Sequence, residues 1–125
     1  MTTPLGQPFW EAARRGILLV QVCQSCRHAQ LPPMARCPAC GGSALAWAEA
    51  SGRAVLASYT VMHRAPPEHA VRVPYVYALV ALEEGPRVVT NLVRADPDRL
   101  RIGQRLRVVF ERADGDQPVP EFEPA

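Results

Sequence analysis

The chain has 125 residues, 48% hydrophobic and 21% charged, and a formal net charge of +2. That length fits one domain or two very small modules, and the balance of residues excludes a disordered chain. So mild a charge argues against a polyanion as the main partner, and no apolar run approaches the ~20 residues of a membrane helix.

The first segment predicts a short helix. Pro8 suits an opening helical position, Arg14 and Arg15 suit the negative end of the helix dipole, and Gly16 can supply a left-handed stop. Leu5, Phe9, Ala12 and Ala13 fall at helical spacing, although Leu5 precedes the helix proper. A helix of about eight residues is marginal alone, so the body of the chain or a partner must cover its apolar side. Residues 17–22 then read as a strand running into the first cysteines, and residues 45–50 as a strand leaving the cysteine-rich module.

From about Ser51 the pattern is β-like. Ser51-Gly52 marks a turn, and Val55, Ala57, Tyr59 and Val61 alternate with Leu56, Ser58 and Thr60. Residues 74–82 form a near-continuous apolar run, expected to be a strand buried on both faces. Residues 83–86 read as a hairpin turn and 87–93 as the returning strand. Asp96 can cap a short helical turn opened by Pro97, and Leu106, Val108 and Phe110 alternate in a last strand. The tail from Asp114 is polar and proline-rich, with Phe122 as its one large apolar anchor. About five strands with a helical insert before the last suggest a small barrel of the OB type. The fold class expected is therefore mainly β: an N-terminal helical segment (1–16), a metal-binding ribbon (17–50) and an OB-fold barrel (51–125).

All four cysteines lie in one pattern, Cys23-x2-Cys26 and Cys37-x2-Cys40. Each pair makes a tight knuckle with two sulfurs on one side, and two facing knuckles give a tetrahedral thiolate cage suited to structural zinc. Nothing in residues 1–16 has the basic and apolar regions of a cleavable signal, so a soluble cytoplasmic protein is expected, and there a metal is favoured over two disulfides. Cys37-Pro38-Ala39-Cys40-Gly41 resembles a rubredoxin knuckle, and iron also accepts four thiolates, which leaves iron open beside zinc. His28, between the knuckles, is expected to be an ordinary loop histidine.

With the cysteines bound to metal, no thiol nucleophile remains. There is no G-x-S-x-G, no P-loop and no G-x-G-x-x-G. His63 and His69 read as loop histidines with no triad around them. All 14 basic residues are arginine, which removes lysine Schiff-base chemistry. No catalytic residue is identified, and the chain reads as a binding or accessory module. Tyr75 and Tyr77 share one face of a strand, as a nucleic-acid stacking platform requires, but the small net charge opposes that use.

Several segments together resemble a family of zinc-ribbon/OB-fold proteins associated with acyl-CoA enzymes, formerly classed as a domain of unknown function. The matching residues are Phe9-Trp10-Glu11-Ala12, Val22-Cys23-Gln24-Ser25-Cys26, Pro32-Pro33 and Cys37-Pro38-Ala39-Cys40, followed by Ser51-Gly52-Arg53, Ser58-Tyr59-Thr60-Val61, Pro74-Tyr75 and Ile102-Gly103-Gln104. The resemblance implies a rubredoxin-like zinc ribbon before a C-terminal OB barrel. It also implies a small accessory subunit of a hetero-oligomer, working beside thiolases, thiolase-like aldolases, ketoacyl-CoA synthases or hot-dog hydratases on acyl-CoA thioesters. The catalytic groups would belong to the partner. In that setting Phe9 and Trp10 are the expected docking residues, since aromatic anchors dominate interface energy. Arg53 and Arg64, flanking the first barrel strand, are candidates for the phosphates of CoA.

Overall fold

The structure, a computed structural model, describes residues 6–63, 74–114 and 117–125. Helix α1 (Gln7–Ala13) starts at the Gly6 cap with Pro8 in its opening turn, where a missing N–H is tolerated. It ends as the sequence predicts. The Gly16 N–H donates to the Ala13 carbonyl and the Ile17 N–H to the Ala12 carbonyl, each at 3.0 Å, and Gly16 has φ 75°. Phe9, Ala12 and Ala13 are buried. Packing on β1 and β8 therefore holds a helix too short to persist alone.

A three-stranded antiparallel sheet follows, with β1 (Leu19–Cys23) between β2 (Ala29–Gln30) and β3 (Leu45–Glu49). The strands expected over 17–22 and 45–50 are β1 and β3. The two residues of β2 are too few to show any period. Buried Gln21 accepts from Gln30 Nε2 at 2.5 Å and from the Met34 N–H at 2.9 Å. These bonds pin the long loop between the knuckles to the sheet.

The remaining strands, β4 (Arg53–Met62), β5 (Tyr75–Leu82), β6 (Arg87–Leu92), β7 (Arg105–Asp114) and β8 (Gln117–Pro124), close a barrel in the order β4-β5-β6-β8-β7. A 3-10 turn at Pro97–Arg99 joins β6 to β7, and Asp96 caps it by accepting the Asp98 N–H at 3.0 Å. Leu56, Val80, Leu106 and Phe122 fill the barrel, and Phe9, Leu18 and Val20 carry the same core into the ribbon. No helix among the described residues is long and apolar enough to cross a membrane.

One expectation is corrected. Strand β5 is not buried on both faces: its burial alternates, and Tyr77 is 49% exposed. The apolar run includes tyrosines, whose rings pack while their hydroxyls meet water. The tail from Asp114, polar and proline-rich and given no strand from its sequence, supplies β8, the strand that closes the barrel. The Ala125 N–H donates to the Arg105 carbonyl at 3.0 Å, which fixes the phase of the β7–β8 ladder. Odd-numbered β8 residues bond β7, and even-numbered ones face β6. Pro118, Pro120 and Pro124 are all even, so no bond to β7 is lost. Phe122 is the even residue that keeps its N–H, and it carries the parallel bridge Leu92↔Phe122.

At Gly52 the backbone has φ 82°, and a Cβ there would lie 2.8 Å from Val108 Cγ1. The Gly52 carbonyl accepts the Val108 N–H at 2.8 Å, so the two strands cannot move apart without breaking that bond. Gly52→Ala is expected to cost roughly 2–4 kcal/mol, from left-handed strain plus overpacking, read from denaturant unfolding.

Strand β8 is also clamped by charge. The Glu123 side chain, 8% exposed, accepts from Arg94 and from Arg107 Nε at 3.0 Å, while Arg94 also grips Glu111 at 2.6 and 2.8 Å. Hydrogen bonds from Arg94, then Arg107, hold the Glu123 carboxyl below its ordinary 4.5 against the opposing effect of burial. A lowered folded value means the stabilisation is complete above 4.5 and is lost as pH falls through that lower value. Melting temperature should fall in that acid window, and Glu123→Gln should flatten the fall.

Candidate metal centre

The first knuckle leaves β1 at its last residue, Cys23, and the second lies in the loop before β3. The two have the same backbone. Cys23 N–H donates to the His28 carbonyl at 2.9 Å and Arg27 N–H to the Cys23 carbonyl at 2.8 Å. Cys37 N–H donates to the Gly42 carbonyl and Gly41 N–H to the Cys37 carbonyl, both at 2.8 Å. Arg27 (φ 70°) and Gly41 (φ 76°) take the equivalent left-handed position. Each knuckle thereby presents a buried leading sulfur, Cys23 or Cys37, and an exposed trailing one, Cys26 or Cys40.

The four sulfurs lie within 4.8 Å of one another, with Cys23–Cys40 and Cys26–Cys37 both at 3.6 Å. The Ala39 N–H points at Cys37 Sγ and the Gly42 N–H at Cys40 Sγ, each at 3.4 Å. Backbone donors aimed at sulfur favour thiolates. The Cys26 N–H, aided by that of Ser25 and opposed by burial, brings the Cys23 thiol down to about 6. The His28 N–H pulls Cys26 the same way, but burial and the sulfurs of Cys37, Cys40 and Cys23 outweigh it and push Cys26 up to about 12. Four adjacent sulfurs cannot all ionise alone, and a central dication removes the conflict. The cluster fits structural zinc, held by Cys23, Cys26, Cys37 and Cys40 with no ligand position left over. His28 is exposed and is not among the clustered ligands.

The other expected site residues are dispersed. Phe9, 2% exposed, packs into the core, and what surface it keeps belongs to the cavity described below. Trp10 is half-buried at the core's edge, in a T-shaped contact with Phe9 at 5.1 Å between centroids. Arg53 is exposed but its fork is engaged: Nε donates to Glu83 Oε2 at 2.6 Å and a terminal nitrogen to Glu83 Oε1 at 3.3 Å. Both groups are exposed, so this is a surface pair. Arg64 and His69 lie outside the described residues, and His63 is exposed. Tyr77 pairs with Thr60 and Asn91 on the barrel's outer face, and Tyr75 is half-buried two positions earlier.

One feature had no counterpart in the sequence reading. A cavity of about 320 Å³ lies where the ribbon meets the β6–β8 seam, lined by Phe9, Leu18, Leu31, Val89, Pro120 and Phe122 among others. Its only available signal was the alternation of prolines in the tail.

Two family models match the chain: the rubredoxin-like zinc ribbon domain of ChsH2 over residues 10–46 and the C-terminal OB-fold domain of ChsH2 over residues 47–111. A chain of a solved complex described as an Ltp2-ChsH2(DUF35) aldolase superposes with a TM-score of 0.86 at 38% identity, covering 98% of this chain and 95% of that one. A probable enoyl-CoA hydratase alpha subunit from Thermomonospora curvata is 42% identical over 94% of this chain, which spans only 37% of that relative's length. A DUF35 domain-containing scaffold protein from Methanocaldococcus jannaschii is 32% identical over 88% of this chain and 81% of its own. With ribbon and barrel both matched in order, the chain belongs to the ChsH2 (DUF35) family of zinc-ribbon/OB-fold proteins.

Proposed function

We propose that the chain is a non-catalytic subunit that seats a thiolase-like enzyme, of the Ltp2 kind, and supports its acyl-CoA carbon–carbon bond chemistry in the cytoplasm. The observation that carries this reading is the likeness to a chain of the Ltp2-ChsH2(DUF35) aldolase along 95% of that chain's length. The cysteine cage supports it. Zinc held by four protein sulfurs crosslinks the ribbon and leaves no position for substrate, so the reacting groups come from the partner. Acyl-CoA reaches this chain through the assembly, where Arg53 and Arg64 are the candidates for its phosphates.

Trp10 is the docking residue in this reading, and Phe9 holds it in place from below. Trp10→Ala should weaken the complex by about 2 kcal/mol, roughly thirtyfold in Kd, with the melting temperature of the isolated chain little changed. Equal affinity by calorimetry would remove Trp10 from the interface.

A hydratase is the second reading. It is favoured by the names of two relatives, the Thermomonospora curvata protein and the 3-oxo-4,17-pregnadiene-20-carboxyl-CoA hydratase alpha subunit of Mycobacterium tuberculosis, 35% identical over 82% of this chain. This chain spans 37% and 32% of those proteins, so what is shared with them is the ribbon and barrel alone. Affinity purification of the tagged chain from its own cells, followed by mass spectrometry, separates the readings. A thiolase-like protein in stoichiometric amount supports the first and a hydratase subunit the second. Nucleic acid without an enzyme partner contradicts both.

A further inference from the structure

Among the described residues, strand β6 has a free edge inside the seam cavity. The Leu82 N–H bonds the Pro86 carbonyl at 2.8 Å, and the register from Val76↔Leu92 to Ala81↔Arg87 is unbroken. Val88, Thr90 and Leu92 therefore bond β5, while Arg87, Val89 and Asn91 turn their backbone groups toward β8. β8 meets β6 at a single residue pair, Leu92↔Phe122, because Pro118 and Pro120 face β6 without an N–H. Thr90 Oγ1 spans the next gap to the Pro120 carbonyl at 3.3 Å. Beyond it, Arg87 and Val89 line the cavity with no strand of the described residues against them, and Val89 is 56% exposed.

We propose that this edge receives an extended segment of the partner subunit, paired to the Arg87–Val89 backbone as an added strand. The inference rests on the accessory-subunit reading and names where the partner's chain enters. The chemistry of the lining selects a peptide over a purely apolar ligand. The N–H and C=O of Val89 need hydrogen-bond partners that another backbone supplies. The apolar walls at Leu18, Leu31 and Phe122 accept alternate side chains. Arg87 is the one charged residue of the lining, and among the described residues no carboxylate pairs with it. A segment with an acidic residue at that end completes the charge match.

Amide hydrogen exchange followed by mass spectrometry, on the isolated chain and on the affinity-purified assembly, tests this. In the dilute isolated chain the Val89 amide should exchange at least a hundredfold faster than that of Val80 in β5. In the assembly it should slow by at least tenfold. Slow exchange already in the dilute chain means this chain covers its own edge, slowing only at high concentration means a second copy does, and either result overturns the proposal. An assembly that forms with Val89 unprotected overturns it while leaving the accessory-subunit reading intact; a chain that purifies without any partner overturns both. Val89→Pro removes the edge N–H without touching the β5 ladder, and Arg87→Glu reverses the charge. Each should weaken partner binding about tenfold or more with zinc content unchanged. Wild-type affinity in both variants would contradict added-strand pairing.

Discussion

Replacing Cys37 by Ser is expected to abolish stoichiometric zinc binding and unfold residues 17–50 while the barrel strands stay paired. Cys37 is buried, and its sulfur is one of four that converge within 4.8 Å. Serine's shorter, far less acidic hydroxyl cannot replace a thiolate there. The ribbon has little else: β2 is two residues long, and the loop between the knuckles is tied to the sheet through Gln21. Structural zinc in comparable small modules contributes roughly 10–16 kcal/mol of apparent binding energy at neutral pH, more than such a sheet supplies alone. The loss reaches helix α1, because Leu18 and Val20 share a core with Phe9, which contacts Trp10. If Trp10 is the docking residue as proposed, Cys37→Ser should weaken partner binding as well. Metal analysis and amide exchange at Val20 and Gln21 check this. One zinc per chain with β1 still protected would mean the cage is dispensable.

Phe122→Ala is expected to cost roughly 3–5 kcal/mol, a large part of the about 5–15 kcal/mol that holds a typical domain. The ring is 1% exposed and stands where the barrel closes. Its residue pairs with Leu92 on β6 and Val108 on β7, and its side chain lines the seam cavity. Truncation would remove buried apolar area from the barrel core and widen the adjoining cavity of about 320 Å³. The denaturant midpoint should drop accordingly, with zinc content unchanged. A loss below about 1 kcal/mol would show that the tail does not close the barrel.

The parts legible in the sequence are those fixed by local chemistry. The cysteine spacing gave the cage because ligand geometry leaves few alternatives, and Pro8 with Gly16 bounded the helix because proline fixes φ in the opening turn and glycine takes the left-handed stop without strain. Alternation in β4 marked it as a barrel strand despite its bulge at Ala57, between Leu56 and Ser58. The rest depends on partners distant in the chain. The tail looked unfit for a strand because prolines are counted without knowing which edge their missing N–H faces. Once β7 lies beside it, Pro118 and Pro120 prove to be on the free side. The Arg53–Glu83 ion pair was not legible, because Glu83, thirty residues later, becomes a neighbour only when β4 pairs with β5. The depth of Phe9 was not legible, because seven helical residues do not reveal that Leu18 and Phe122 share its core.

Native mass spectrometry of the tagged chain, purified from its own cells under non-denaturing conditions, tests the central claim most directly. The account predicts one assembly in which this chain retains a single zinc ion and is joined to a subunit of thiolase type. The chain flying alone, or joined to its partner without zinc, would contradict it.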